Sequence, residues 1–234
     1  MDKKNRSNEK IWYLNQINFF KGLPKREIER LNRVTIMKDF KAKQVLYMQG
    51  EPGENVYLLK RGMVKISKTL YDGNELILSI IKSGEIFGEL EVIDKESRHT
   101  QAVAYSQVLI CIINRQELIK MVRSNPELGF RLTKIIGFRR RVIENRLENL
   151  VFRSVTEKLA ALLLELKDQF GKDTESGVLI DITLTHKDLA NLIGASRTTV
   201  SENLSNFMAQ GIISKTGRRF IINNPNYLHE LLTS

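Results

Sequence analysis

Four polar residues near position 200 have the spacing of one exposed face of a helix. Arg197 and Thr198 are followed one helical turn later by Ser201 and Glu202. Guanidinium, hydroxyl and carboxylate groups can donate to or accept from the edges of base pairs in the major groove of DNA. Because Arg197 can donate to guanine and Glu202 can accept from the amino group of cytosine, this face predicts direct recognition of a base sequence.

The chain around these residues predicts a helix-turn-helix over 185–213. Thr185 and Asp188 have the spacing of a capping box at the start of a first helix, and Gly194 suits the left-handed residue of a short turn. Ser196 can cap a second helix. The apolar residues of that helix, which would face the core, are Val200, Leu204 and Phe207. An ordinary helical hairpin without a DNA-binding role is the alternative.

A basic β-hairpin is predicted after the second helix. The segment ISKTGRRFII turns at Thr216-Gly217 and would bring Arg218 and Arg219 near a phosphate backbone, as a wing does. An exposed basic turn without a partner explains the same residues nearly as well. The predicted phosphate contacts are Ser196, Thr199, Lys215, Arg218 and Arg219. Binding that depends on such contacts should weaken steeply with salt.

The total charge favours a polyanionic partner but does not locate its site. The 234 residues carry a formal net charge of +10. From Val151 to the end, however, nine basic residues are balanced by nine acidic ones. Only the local basic residues in and beside the predicted motif therefore favour DNA there.

The composition argues against several classes of protein. The single cysteine, Cys111, lies in an apolar run and is expected to be buried and inert. The three histidines, His99, His186 and His229, are too scattered for a metal centre, and no catalytic triad or phosphate-binding loop emerges. No apolar run has membrane-spanning length, and the N-terminus is not of signal type. We therefore expect a cytoplasmic protein that is neither an enzyme nor a metalloprotein.

Short β-rich pieces separated by glycines dominate residues 39–113. These glycines recur every 11 or 12 residues, at Gly50, Gly62, Gly73 and Gly84. The pair Asp72-Gly73 is a strong hairpin signal. Short strands at such regular spacing predict an antiparallel barrel or sandwich.

A helix with a seven-residue apolar repeat is predicted over 132–150. Ile136, Ile143 and Leu150 are seven residues apart, Leu147 lies between them, and Arg140 also falls on this seam. The repeat predicts a two-fold dimer with these five residues at the interface. Packing of the stripe on the chain's own β-domain is the alternative. A further helix is expected from Val155 to about Phe170, and a loop over 171–177.

Together, a glycine-punctuated β-roll, a long dimer helix and a C-terminal winged helix-turn-helix resemble the CRP/FNR family of bacterial transcription regulators. The most specific segments are GEIFGELEVIDKESRHTQAVA (84–104), ENLVFRSVTEKLA (148–160) and the helix-turn-helix. The resemblance implies an α+β fold with an N-terminal antiparallel double-stranded β-helix of jelly-roll type, a long central dimerisation helix and a C-terminal winged helix-turn-helix. It also implies a homodimer that binds double-stranded DNA, acts with RNA polymerase and is controlled by an effector in the β-roll.

This resemblance divides the chain into four parts. They are a disordered tail (1–10), an effector-binding β-roll domain (11–125), a dimerisation helix (126–153) and a winged helix-turn-helix domain (154–234).

One group of candidate effectors comes from the likeness to cyclic-nucleotide-binding members of the family. In those members an FGEL motif supplies a glycine amide and a ribose-binding glutamate, and a following arginine holds the cyclic phosphate. The matching residues are Phe87, Gly88, Glu89, Leu90 and Arg98. His99 stands where serine is usual, and Ile143 and Glu144 replace the Thr-Ser pair that recognises adenine. Cyclic AMP or another cyclic nucleotide is thus a candidate, although the usual recognition of adenine is not matched.

The second candidate effector is 2-oxoglutarate. The nitrogen regulators that sense it hold the dicarboxylate with an arginine of the roll and an Arg–Glu pair of the dimer helix. Arg98, Arg139 and Glu144 fall at these places, whereas Glu89 adds an unfavourable acid beside a dianion. A fixed Arg–Glu ion pair, in a regulator that is active without an effector, is a third possibility.

The predicted mode of DNA binding follows from the dimer and the Arg197 face. Each chain would insert residues 196–204 into one of two successive major grooves of a pseudo-palindromic site, with half-sites about 34 Å apart or a multiple of that. Glu202 occupies a place where many relatives carry arginine, so we expect the operator to differ from the usual family consensus at that base. A ligand-binding module whose helix-turn-helix contacts protein is the rival class, and Glu202 supports it because an acid repels phosphate.

Overall fold

The computed structural model describes residues 18–71 and 73–233. The predicted tail over 1–10, and Asp72 of the predicted Asp72-Gly73 turn, lie outside the described residues. The chain divides between Arg139 and Arg140 into two compact units.

The first unit consists of short strands framed by helices. In chain order its elements are a 3-10 turn (Asn18–Phe20), α1 (Lys25–Val34), β1 (Ile36–Phe40), β2 (Val45–Tyr47), β3 (Asn55–Arg61), β4 (Met63–Thr69), β5 (Glu75–Lys82), β6 (Ile86–Phe87), α2 (Leu90–Asp94), β7 (Gln101–Ala104), β8 (Val108–Asn114), α3 (Arg115–Ser124) and the beginning of α4 (Pro126–Phe152).

The strands form two antiparallel four-stranded sheets, ordered β1-β8-β3-β6 and β2-β7-β4-β5. Successive side chains of a strand point to opposite faces of its sheet. In β3, Tyr57 and Leu59 therefore pack in the core between the sheets, whereas Val56 and Leu58 pack with the helices. The predicted antiparallel β-domain is confirmed, and β4 and β5 form the expected hairpin around Gly73.

Helices α1, α3 and α4 cover the outer face of the first sheet. They contribute Ile28 and Leu31, Leu118 and Met121, and Leu128 and Leu132, respectively. The burial of each such side chain stabilises the fold by about 1.5–3 kcal/mol. Cys111 is buried in the same cluster, as predicted.

The first half of α4 therefore belongs to the core of the first unit. Leu128 and Leu132 are buried there, and Ile135 and Ile136 pack partly against the same cluster, since residues three, four and seven apart share one helical face. Ile136, predicted at the dimer seam, thus contacts its own chain, and the alternative of packing on the β-domain holds for this part of the stripe. Its place in a dimer stays a prediction.

The second unit contains the rest of α4 and eight further elements. They are α5 (Val155–Phe170), β9 (Gly171–Thr174), β10 (Gly177–Ile180), α6 (His186–Ile193), α7 (Arg197–Ala209), β11 (Ile213–Thr216), β12 (Arg219–Ile222) and α8 (Pro225–Glu230). The strands form one sheet in the order β11-β12-β10-β9.

The prediction of a loop over 171–177 is wrong, because this stretch contains β9 and begins β10. Strand β9 is exposed along its whole length, so it lacks the alternation of apolar residues that marks a strand in the sequence. Its order comes from pairing with β10, which pairs in turn with β12. Helix α5 ends where expected, but Gly171 has extended backbone and starts β9 directly.

Across the described ranges 18–71 and 73–233, no helix is both long and apolar enough to cross a lipid bilayer.

Candidate functional site

Two short helices in the second unit form the predicted helix-turn-helix. At the start of α6, Thr185 and Asp188 cap each other, with the Thr185 hydroxyl 3.1 Å from the Asp188 N–H and a Asp188 carboxylate oxygen 3.0 Å from the Thr185 N–H. Gly194 ends α6 in the left-handed conformation, with φ of 61°. The Ser196 hydroxyl then accepts from the Thr199 N–H at 3.0 Å and caps α7. The local predictions of cap, turn and cap are confirmed.

Helix α7 has one buried face and one exposed face. Val200, Leu204 and Phe207 are buried against the rest of the unit. Arg197, Thr198 and Glu202 are exposed, and all three lie in the first two turns. The N-terminal end of α7 therefore presents a donor and an acceptor to solvent on a braced helix, which is the geometry that a major groove admits.

Three hydroxyl groups assigned to DNA contacts are already engaged within the unit. The Ser196 and Thr199 hydroxyls lie 2.9 Å apart and take part in the cap of α7. The Ser201 hydroxyl donates to the Arg197 carbonyl at 2.8 Å and accepts a hydrogen bond from His186. Their contribution to DNA binding thus requires that these oxygens keep their local partners and accept or donate once more.

His186, which sequence analysis placed only at a helix start, links α7 to the wing. Its Nε2 accepts from the Lys215 amino group at 3.2 Å, so its Nδ1–H donates to the Ser201 hydroxyl at 2.7 Å. Partial burial lowers the pKa of His186, and the positive charges of Lys215 and Arg197 lower it further. The imidazole is therefore held neutral in the folded protein and positions Lys215 beside the recognition helix.

Strands β11 and β12 form the predicted hairpin, with Gly217 and Arg218 as its turn residues. Arg218 is exposed at this turn, and Gly217 has φ of 59°. Arg219 instead pairs with Asp181, whose carboxylate also holds Lys172. The hydrogen bond from Lys172 and the nearby Arg219 lower the pKa of Asp181. Arg218 thus fits a phosphate contact better than Arg219 does.

Sequence analysis also missed Asn203, which fixes α7 to the preceding helix. Its side chain accepts from the Thr156 hydroxyl at 2.5 Å and donates to the Thr199 carbonyl at 2.9 Å. An asparagine four residues after Thr199 was the one available signal, and it does not identify a partner 47 residues away.

The second cluster of interest lies in the β-domain, around Arg98. Phe87 is buried and stacks on Tyr57, with ring centroids 5.2 Å apart. Gly88 has φ of 71°, and a side chain there would come within 2.9 Å of the Arg98 guanidinium. Glycine is therefore required at position 88 both by the backbone and by the close approach of Arg98.

Arg98 is only 2% exposed and is surrounded by acceptors. Its Nη1 donates to the Gly88 carbonyl at 2.8 Å and lies 3.1 Å from a Glu91 carboxylate oxygen. Its Nη2 donates to the Asn55 carbonyl. The guanidinium also lies 4.4 Å from the ring centroid of Tyr47, a cation–π contact. Burial raises the pKa of Tyr47 to about 12.

The remaining predicted effector residues do not all converge on Arg98. Glu89 is buried and pairs with Arg139 at 2.8 Å. Glu144 pairs instead with Arg140, at 2.7 Å on an exposed helix face. His99 points to solvent and pairs with Glu96. The structure thus gives Arg139 and Glu144 different partners. Leu90 and Ile143 are about half exposed.

The folded chain has two parts that match known domains. Residues 37–125 match the cyclic nucleotide-binding domain, and residues 157–231 match the Crp-like helix-turn-helix domain. Together the two matches define a DNA-binding transcription regulator with an effector-binding domain.

Individual relatives are similar over nearly the whole chain. The CRP-like cAMP-activated global transcriptional regulator of Mycobacterium tuberculosis is 30% identical over 215 residues, which cover 92% of this chain and 96% of that protein. The global nitrogen regulator of a Nostoc species is 27% identical over 200 residues, covering 85% and 90%. The structure of FixK2 from Bradyrhizobium japonicum superimposes with a TM-score of 0.75 at 25% identity, covering 85% and 97%. The chain therefore belongs to the CRP/FNR family of transcription regulators.

Proposed function

We propose that the chain acts as a homodimer that binds a pseudo-palindromic DNA operator under the control of a small anionic effector in its β-domain, and that it acts with RNA polymerase. The observation that carries this proposal is the exposed N-terminal end of α7. There Arg197, Thr198 and Glu202 lie over a buried face, with Lys215 held alongside by His186. A braced helix with these groups recognises bases, and the lysine contacts phosphate.

The apolar seam on the second half of α4 supports the homodimer. Ile143 and Leu147 are 52% and 60% exposed, and Leu150 is 39% exposed. Residues four and three apart form one stripe, which a second copy of the same helix would cover. Two copies of α7 would then enter successive major grooves about 34 Å apart. In this arrangement residues 11–125 bind the effector, 126–153 form the dimer helix and 154–234 bind DNA.

Arg98 supports an anionic effector. The guanidinium is buried beside Gly88, and its Nε–H has no hydrogen-bond partner among the residues that the structure describes. An unpaired buried donor is costly, and a bound acceptor oxygen would remove that cost. Cyclic AMP, another cyclic nucleotide and 2-oxoglutarate are the candidate effectors. The Mycobacterium tuberculosis relative is named as cAMP-activated.

A regulator that is active without an effector is the second candidate function. It is favoured by the ion pairs in the β-domain, because Glu91 neutralises Arg98 and Glu89 neutralises Arg139. The two candidates differ in one measurement. An effector-dependent regulator changes its affinity for the operator when ligand is added, whereas an effector-independent one does not.

Selection of binding sites from a random duplex library tests the proposal. We expect a two-fold symmetric consensus with half-sites one helical turn apart, and a complex that sediments with two chains per duplex. The consensus should also depart from that of family members with arginine at the position of Glu202, because a carboxylate accepts from cytosine. A complex with one chain on a single half-site, or an absence of salt-dependent DNA binding, would contradict it.

A further inference from the structure

The hydrogen bonds of Arg98 leave one donor group for a ligand. A guanidinium has five N–H donors. Nη1 and Nη2 serve the Gly88 carbonyl, the Asn55 carbonyl and the Glu91 carboxylate. The Nε–H is buried and has no partner within the described part of the chain. The site is thus built around a cation that has one donor to spare and one acidic neighbour.

Glu91 is held tightly at this cation. The residue is 7% exposed and lies in the first turn of α2. One carboxylate oxygen is 3.1 Å from Arg98 Nη1, and the other accepts from the His99 N–H at 3.3 Å. A buried carboxylate with these two partners is in the place where the negative charge of a bound anion would be stabilised.

We infer that Glu91 is an internal competitor for Arg98, which an anionic effector must displace or tolerate, and that the Arg98 Nε–H is the donor available to that effector. The inference rests on the proposed effector site and names the class of ligand that the site takes. Arg98, Arg139, Glu89 and Glu91 sum to zero charge. A monoanion such as a cyclic phosphodiester therefore leaves a net charge of −1, whereas a dicarboxylate leaves −2. The site favours the monoanion, because like charges repel strongly in a buried environment.

Calorimetric titration of the purified full-length chain with cyclic AMP and with cyclic GMP, without DNA, tests the competition. The variant Glu91→Gln keeps the size of the side chain and removes its charge. We expect it to bind at least one of the two nucleotides at least about tenfold more tightly than the natural chain does. Arg98→Gln in the same background should abolish the gain, because the donor is then lost.

Glu96→Gln is the matched control. Glu96 lies in the same segment and pairs with His99, but its side chain is exposed. Its removal should leave nucleotide affinity unchanged within about twofold, because exposed charges are screened. An equal gain in this variant would overturn the inference, since the effect would then reflect net charge and not competition at Arg98.

Two further outcomes decide the question. Equal or weaker binding of both nucleotides by a folded Glu91→Gln variant, or no binding of either, would overturn the inference. Where Glu91→Gln does not fold, Glu91→Asp replaces it, because a shorter acid loosens the ion pair and should also tighten nucleotide binding; unchanged affinity would overturn it. Loss of DNA binding would contradict the proposed function without affecting this titration, so the two failures are distinguishable.

Discussion

Replacement of Arg197 by alanine should change which base the protein recognises without changing the stability of the fold. Arg197 is the first residue of α7 and is exposed, so its truncation leaves no cavity. We expect the free energy of unfolding to change by no more than about 0.5 kcal/mol. A base contact of this type contributes about 1–3 kcal/mol of discrimination. Because a dimer uses two copies, the loss at the selected operator should be about 2–6 kcal/mol, which is about thirtyfold to ten-thousandfold.

Fluorescence anisotropy on the selected operator, and on duplexes with single base changes, measures this loss. The Arg197→Ala variant should bind the operator and the duplexes changed at one symmetric position equally well. Arg218→Ala is the matched control, since Arg218 is an exposed arginine of the wing turn. It should weaken binding to all duplexes alike and reduce the salt slope by about 1 per contact. Unchanged affinity of Arg197→Ala, or an equal loss on every duplex, would refute the assignment of α7 as the recognition helix.

Four other perturbations have defined outcomes. Glu202→Gln should relax the choice of base at one symmetric operator position, as measured by selection from a random library; recovery of the original consensus would count against a Glu202 base contact. Leu147→Asp should weaken dimerisation by about 3 kcal/mol or more, because two leucines lose burial, and sedimentation equilibrium measures it; an unchanged dimer would exclude this seam. The lowered pKa of His186 means that its neutral form is favoured in the folded state, so its contribution to stability is present above about pH 6.5 and lost as pH falls below that value; urea unfolding between pH 5 and 8 should show a smaller pH dependence in His186→Gln. The pKa of Tyr47 is raised to about 12, so its contribution, about 3 kcal/mol in total, is present below pH 10 and lost as pH rises from 10 to 12; Tyr47→Phe should flatten this alkaline loss, and an identical loss in both proteins would refute the role of Tyr47.

The helix-turn-helix could be predicted because its signals are local. Thr185 lies three residues before Asp188, Gly194 lies at the turn, and Ser196 directly precedes the second helix. Each residue acts on backbone groups within a few positions of itself, so spacing in the sequence is sufficient. The β-domain could be predicted for a similar reason, since glycines at regular spacing mark the ends of short strands.

The features that could not be predicted depend on distant partners. Arg139 pairs with Glu89, 50 residues away, and His186 contacts Lys215, 29 residues away. Strand β9 has no apolar alternation and is ordered by the neighbouring strand alone. The seven-residue repeat of α4 indicates that a helical face is covered, but it does not indicate whether the same chain or a second chain covers it; Ile136 contacts its own core.

The contact between Asp181 and the wing has a consequence for how the protein searches a chromosome. Asp181 neutralises Lys172 and Arg219 within the sheet, so these cations displace fewer counterions from DNA than isolated residues would. Attraction to arbitrary sequence is reduced more than recognition of the operator, which depends on base edges. A smaller share of the molecules is then sequestered on the bulk of the genome, and occupancy of the operator becomes less sensitive to shifts in intracellular ionic strength.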